Sequence, residues 1–433
     1  MLIEFRVSNY RSIGEEQIIS LVPTPKQREY PENILTKGKY KALNVVGIYG
    51  ANASGKSNVL LAMSLLDRII NLSAHSSSTT LLPYDPFLLR EGWDKKPTKF
   101  EITFILNEIR YRYGMEFSEE KIISEWLYRK NMSREVELFF REEDIIEVST
   151  GLKGNNKLID AAIEATRPNS LFLSTCDMLN IKEAKTIFQW FKYFHMIDGL
   201  NTKAISTISI WESYGNQIKS YLARLDIGFV DIDIATKDFE VSDLPSNLTS
   251  TVKNELIKEL SGKKSYEVMT AHKMYDLKGQ FSGDRRFWNM GKRESKGTQK
   301  AFHLSGHIVW ALNSGGVLII DEIEAKIHPI LVIDIIGTFL NSETNPNNAQ
   351  LIFATHDTNL LTYSKLRRDQ IYFSEKNVWE STEVFSLSDF TYLDQRERAE
   401  TNKEKRYLEG RYGAIPILNH WEISKSMTDG KEG

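Results

Sequence analysis

The chain has 433 residues, 41% hydrophobic and 26% charged, with Lys+Arg at 55 against Asp+Glu at 58 and a formal charge of −3. This composition excludes collagen-like, mucin-like and wholly disordered chains. The near balance of charge excludes a uniformly basic nucleic-acid coat and leaves only local patches for such contact. At roughly 150 residues per domain, the length allows one large domain or two to three smaller ones. The single Cys176 excludes an internal disulfide or a Cys-rich zinc module and fits a reducing compartment. No apolar run reaches the ~18 to 20 residues that span a bilayer, and Met1 to Arg6 lacks the layout of a signal peptide. A cytoplasmic chain without membrane contact is expected.

In chain order, residues 1 to 20 alternate apolar and polar (Leu2, Phe5, Val7, Ile18, Ile19) around Asn9-Tyr10-Arg11-Ser12, which predicts an edge hairpin. Leu43 to Tyr49 is a short β-branched apolar run of the kind buried on both faces of a parallel sheet. It leads into a glycine-bearing loop. Beyond it, Val59, Leu60, Met63, Leu65, Leu66, Ile69 and Ile70 recur at helical spacing until Ser76 to Thr80. Phe100 to Phe117 switches to period two around Asn107-Glu108, an antiparallel pair.

Residues 151–265 read as a mainly helical insertion, with a Gly151 to Asn156 loop and a polar break around Pro245. No sustained heptads argue for a coiled-coil arm. The last third returns to strand, helix, strand: Gly316 to Ile320, then a helix marked by Ile330, Ile333, Ile336 and Leu340, then Gln350 to Ala354. That order implies a parallel crossover. The expected fold class is α/β, with a parallel core sheet, an antiparallel β subdomain (within 1–150), the helical insertion (151–265) and a second core part (266–433).

Gly50-Ala51-Asn52-Ala53-Ser54-Gly55-Lys56-Ser57 fits G-x-x-x-x-G-K-[ST] at every fixed position and sits between a buried strand and a helix. The glycines let backbone N–H groups close on phosphates, and the helix presents its positive end to them. Lys56 would neutralise β/γ oxygens and the Ser57 hydroxyl would hold Mg²⁺. The expected ATP-binding set is Gly50, Asn52, Ser54, Gly55, Lys56, Ser57 and Asn58. Leu318-Ile319-Ile320-Asp321-Glu322 is an apolar strand ending in two acids. Asp321 would hold the metal, and Glu322 would polarise the attacking water as a general base. His356, after the next strand, either reaches the γ-phosphate or is a structural group. His328 before Pro329 serves either a subunit interface or the start of a helix.

These features, with Glu294-Ser295-Lys296-Gly297-Thr298-Gln299-Lys300 upstream of Asp321, resemble ABC-type P-loop ATPases of the SMC/RecF/OLD branch. The resemblance implies a head-to-tail dimer, or a higher homo-oligomer, in which Ser295 and Gly297 of one copy cap the γ-phosphate held by Lys56 of the other. Ser295-Lys296-Gly297 departs from the usual Leu-Ser-Gly-Gly-Gln and is also readable as a plain helix cap. Within the branch the chain is similar to stand-alone abortive-infection ATPases of the RloA and AbiL group and to the ATPase half of PARIS-like defence pairs. Phe5 to Ser12, Leu366 to Phe373 and Tyr407 to Pro416 carry that likeness. Arg11 touches nucleotide or is a surface Arg. The Gln that such enzymes carry after the first helix has no counterpart in Pro83 to Phe87, so none is assigned.

The implied function is a Mg²⁺-dependent ATPase that senses or regulates a separately encoded toxin or nuclease in anti-phage defence. The alternatives are a RecF-like DNA-binding ATPase of repair and a non-catalytic scaffold glued by ATP. Basic pairs at Lys263-Lys264, Arg285-Arg286, Lys292-Arg293 and Arg367-Arg368, with Lys403 to Arg411, either line a nucleic-acid path or are solvated faces.

Overall fold

The computed structural model describes residues 1–25, 27–131, 134–238, 240, 241, 244, 249–260, 264–390 and 402–416. Pro245 and Lys263 lie outside the described residues. The alternating start folds as β1 (Leu2–Ser8) and β2 (Gln17–Ser20), an antiparallel pair. A short hairpin, β3 (Ile34–Lys37) and β4 (Tyr40–Leu43), precedes β5 (Val45–Tyr49), whose residues are all buried. β6 (Thr98–Leu106) and β7 (Ile109–Phe117) turn at Asn107 and Glu108, both with positive φ (50° and 61°). Two residues of that handedness match the twist of a tight hairpin. β8 (Ile122–Lys130), β9 (Glu135–Glu142) and β10 (Ile145–Val148) complete a seven-stranded antiparallel sheet in the order β10-β9-β8-β7-β6-β1-β2.

Residues 151–265 carry helices such as Asn156–Ala165, Lys182–Phe191 and Trp211–Arg224. The same stretch also supplies β11 (Phe194–Asp198) and β12 (Asp231–Asp238). β13 (Lys264–Tyr275) and β14 (Phe281–Asn289) join β12 in a three-stranded sheet. β15 (Val317–Asp321), β16 (Gln350–Thr355), β17 (Ile371–Lys376) and β18 (Thr382–Ser386) then combine with earlier strands in the core sheet, ordered β11-β15-β16-β5-β17-β18. Its strands run parallel except β18.

Period two decides which side chain enters which layer. Val46, Ile48, Ile319 and Ile352 face the Lys56–Leu72 helix and the seven-stranded sheet. Val45, Tyr49, Leu318, Ile320, Leu351 and Phe353 face the opposite layer with Phe302, Ile308 and Ile336. The sheet is thus covered on both sides, as near-continuous apolar strands require. The Pro329–Leu340 helix buries Val332, Ile335, Ile336, Phe339 and Leu340, while Ile330, expected on its apolar stripe, is 66% exposed. Pro329 fixes the first turn, so Ile330 lies on the rim before the buried stripe begins. Among the described residues no helix is long and apolar enough to cross a membrane.

One side chain joins the two large sheets. Gln350, 1% exposed, accepts from the Leu2 N–H at 2.6 Å and donates to the carbonyls of Leu2 and Leu43, each at 3.0 Å. Gln350→Leu fills the same volume but strands three buried backbone groups, at a cost of about 2 kcal/mol or more. Urea unfolding of the variant should show a lower midpoint; an unchanged midpoint would deny this tie its weight.

Candidate nucleotide site

The parallel strands end together, and their carboxyl edge brings four segments into one row. The register sets Asp198 beside Asp321 and Thr355 beside Tyr49, so Asp198, Asp321, His356 and Gly50 leave adjacent strands at one edge. A crevice at the carboxyl ends of parallel strands is where α/β sheets bind ligands.

The loop from Gly50 to Gly55 is shaped by close approach. Gly50 has φ +155° and a Cβ there would run into the Ser374 carbonyl; Gly55 has φ +104° and a Cβ would run into the Thr382 hydroxyl. Elements remote in sequence pin the loop from outside. The hydroxyls of Ser374 and Thr382 both donate to the Ser54 carbonyl at 3.0 Å. Asn58 donates to the Ser12 hydroxyl at 2.7 Å, and Ser12 meets Thr382 at 2.8 Å. The Ala51 N–H donates to the Ala414 carbonyl at 3.1 Å, and Tyr407 donates to the same carbonyl at 2.8 Å. Two strings that carry the family resemblance, at Ser12 and at Tyr407 to Pro416, therefore brace the phosphate loop. Arg11 itself is paired with Asp85 at 2.9 Å.

Lys56 is the first residue of the 17-residue helix and is 4% exposed. Its ammonium donates to the carbonyls of Gly50 and Ala51 at 2.9 Å and lies 3.3 Å from His356 Nδ1. Burial lowers its pKa to about 8 against the opposing pull of Asp321, Glu324 and Glu322. Burial pushes the Asp321 carboxyl up, the Ser57 hydroxyl pulls it back, and neighbouring Asp198 pushes it up again. Asp321 Oδ1 and Ser54 Oγ are buried with no hydrogen-bond partner. An orphaned oxygen on a carboxylate that also meets the Ser57 hydroxyl fits a hard divalent cation that would take most of its oxygens from phosphate and water. Among the described residues no group of three or more His, Cys, Asp or Glu could hold a metal by itself.

Glu322 follows the strand with φ +48°, a left-handed conformation for a residue with a side chain. The Gly199 N–H donating to the Asp321 carbonyl and the Ile323 N–H donating to the Ala354 carbonyl hold that bend. Glu324, not singled out by the motif, accepts from the Thr355 hydroxyl at 2.8 Å and the His356 N–H at 2.7 Å. It fixes the turn that presents His356 to Lys56. Asp198 was hidden because its strand lies in a stretch that reads as helical.

Ser295 and Gly297 stand apart from this row. Ser295 is the exposed N-cap of the Lys296–Ser314 helix and accepts from the Thr298 N–H at 3.1 Å. Asn52 is exposed in the phosphate loop. His328 Nδ1 accepts from the Ile330 N–H at 3.3 Å, which makes it a helix cap. Arg367 is 1% exposed and paired with Asp369 at 2.8 Å, so that basic pair is structural at its first member.

Lys56 gives a pH test. A bound triphosphate raises the pKa of a buried ammonium, so between about 8 and the ordinary 10.5 binding must take up a proton. Calorimetry with ATP at pH 8.5, in buffers of different ionisation enthalpy, should show that uptake, and Lys56→Arg should abolish it. Equal heats in all buffers for the parent chain would contradict the assignment.

Compared with known proteins, the chain matches a family model described as "AAA domain, putative AbiEii toxin, Type IV TA system" over residues 45–153 and 188–362, well over half its length. No curated protein matches it in sequence. Among solved structures it is similar to an Smc head bound to the C-winged helix domain of ScpA, with 12% identity, 91% of this chain and 98% of that chain covered, and a TM-score of 0.39. It is also similar to a Pyrococcus furiosus Smc head domain bound to the C-terminal domain of ScpA (11%, 89% and 96%, 0.39). A third is the recombination mediator RecF with ATP (13%, 83% and 94%, 0.30). The matched residues include the phosphate loop, Asp321, Glu322 and His356, and the chain belongs to this AAA-domain family.

Proposed function

We propose that the chain is an ABC-type ATPase whose hydrolytic site is completed by a second copy of itself. The observation that carries this is the buried, unpartnered Asp321 oxygen at the strand edge beside Ser57 and Lys56. Lys56 and the loop N–H groups take the phosphates, while Ser57 and Asp321 would hold Mg²⁺. Bound there, the ion would offset charge on the β- and γ-phosphates. Glu322, at the next position, accepts a proton from the attacking water, and His356, 3.3 Å from the Lys56 ammonium, contacts the γ-phosphate. Ser295, exposed, and Gly297, half-buried, sit at the positive end of a 19-residue helix. Such an end suits the γ-phosphate of a nucleotide held by another copy.

The setting we infer is anti-phage defence, with the nucleotide state holding or releasing a separately encoded effector. The family's toxin–antitoxin description supports a two-component system, as does the resemblance to abortive-infection ATPases.

Glu322→Gln separates this reading from a non-catalytic scaffold. The variant should bind ATP as the parent does, lose about 10²- to 10⁴-fold in turnover, and accumulate as an ATP-bound assembly in light scattering. Turnover equal to the parent's would remove Glu322 from the base role.

A further inference from the structure

β13 and β14 continue past the three-stranded sheet as an arm whose residues from Lys273 to Arg286 are exposed on both faces. Its tip is ordered: Asp276 accepts from the N–H groups of Lys278 and Gln280 at 2.8 and 2.9 Å, and Gly279 takes φ +77°. Cross-strand partners share a face. The register pairs Ala271 with Phe287, Lys273 with Arg285 and, beyond a bulge, Tyr275 with Phe281, whose ring centroid lies 5.8 Å from the Lys273 ammonium on the same face. One face therefore runs aromatic, cation pair, aromatic pair, with Phe287 55%, Tyr275 61% and Phe281 50% exposed. Nearby acids on this face are engaged: Asp231 with Lys219 at 3.4 Å and with Arg285 at 3.9 Å, and Glu267 with Lys237 at 3.1 Å.

Successive rows on a strand face are about 6.8 Å apart, twice the roughly 3.4 Å rise of stacked bases in one strand of a duplex. A duplex also keeps its base faces inside. Rings separated by a cation row suit an extended strand whose bases are unstacked, each ring taking a base and each cation a phosphate. An apolar peptide would gain nothing from the cation row.

The base of the arm is tied to the residue before Ser295. The Glu294 carboxylate, 9% exposed, accepts from Thr270 Oγ1 at 2.6 Å and from His272 Nε2 and Trp288 Nε1 at 2.7 Å. Burial would push this carboxyl up, but the donors Thr270, Trp288 and His272 outweigh it and hold it below the usual range. The His272 and Trp288 rings stack at 3.9 Å, and Gln299 donates to the Glu294 carbonyl at 2.9 Å. Both strands of the arm thus end on one side chain adjoining the helix cap at Ser295.

We propose that this face of the arm docks single-stranded nucleic acid and that Glu294, as a positioning residue, carries its occupancy to Ser295. The relay rests on the ATPase reading; the docking does not.

Fluorescence anisotropy on the full chain without nucleotide, using labelled oligo-dT and oligo-rU of about 12 nucleotides and a duplex of equal length, tests the docking. The parent should prefer the single strands. Tyr275→Ala with Phe281→Ala, and Lys273→Ala with Arg285→Ala, should each weaken binding about tenfold, the second pair also lowering the salt slope by about 1 to 2. No single-strand binding, a preference for duplex, or unaltered binding by both pairs would overturn it. For the relay, oligonucleotide should change the parent's ATP turnover severalfold. Glu294→Gln, its fold checked by retained oligonucleotide affinity, should show no response. An equal response in that variant would overturn the relay. A parent chain with no turnover under any condition would sink the ATPase reading and the relay together, leaving the anisotropy to judge the docking.

Discussion

A half-buried carboxylate and a buried ammonium at the same sheet edge set the terms for the rest of the molecule. Desolvation disfavours the charge on both Asp321 and Lys56, and neither is stable inside a protein without compensation. Here the compensation is shared and incomplete: Lys56 leans on two loop carbonyls, and one Asp321 oxygen is left with no partner. An edge with acids on strands and a cation on the loop is poised for a metal and a polyphosphate together, since each cancels charge that the other would leave exposed.

Such a site is useful only if its donors do not need to be organised by the ligand. The chain achieves this by bracing a loop of six residues with segments from both ends. Ser12 comes from the opening turn, Ser374 and Thr382 from the last core strands, and Ala414 from the final described segment. The Tyr407 and Tyr412 rings stack on Phe373, 5.2 and 5.4 Å between centroids, which anchors that last segment to the core sheet. The C-terminal residues thereby act on the nucleotide loop through packing and one backbone hydrogen bond.

Much of this was legible in the sequence because the physics is local. A β-branched run before a glycine loop, and an apolar run ending in two acids, announce buried strands that finish at one edge. The helix after Lys56 follows from its 3.6-residue spacing. What stayed hidden depends on pairing at long range. The Phe194–Asp198 strand is only five residues long and flanked by helices, so its parallel partner, not its own pattern, makes it a strand. Glu324, two positions beyond Glu322, matches no motif, and only the fold sets it against the Thr355 hydroxyl. Glu294 gained its meaning from Thr270 and His272 on one strand and Trp288 on the next. Local pattern likewise misplaced Ile330, because it carries no information on which residue a proline-led first turn leaves at the rim. The terminal strings resembled family markers with no chemistry of their own, and only their contacts with the loop explain them.

The central claim is that two copies share each nucleotide, one through Lys56 and the other through Ser295. Mixing two separately inactive chains, Lys56→Ala and Ser295→Ala, and measuring ATP hydrolysis tests it most directly. In a symmetric head-to-tail pair, only sites joining the intact Lys56 of one chain to the intact Ser295 of the other can work, about a quarter of the total when equal amounts of the two chains pair at random. The account predicts that the mixture regains activity up to that level while neither chain has any alone. A mixture as inactive as its parts, or a Ser295→Ala chain with full activity by itself, would contradict it.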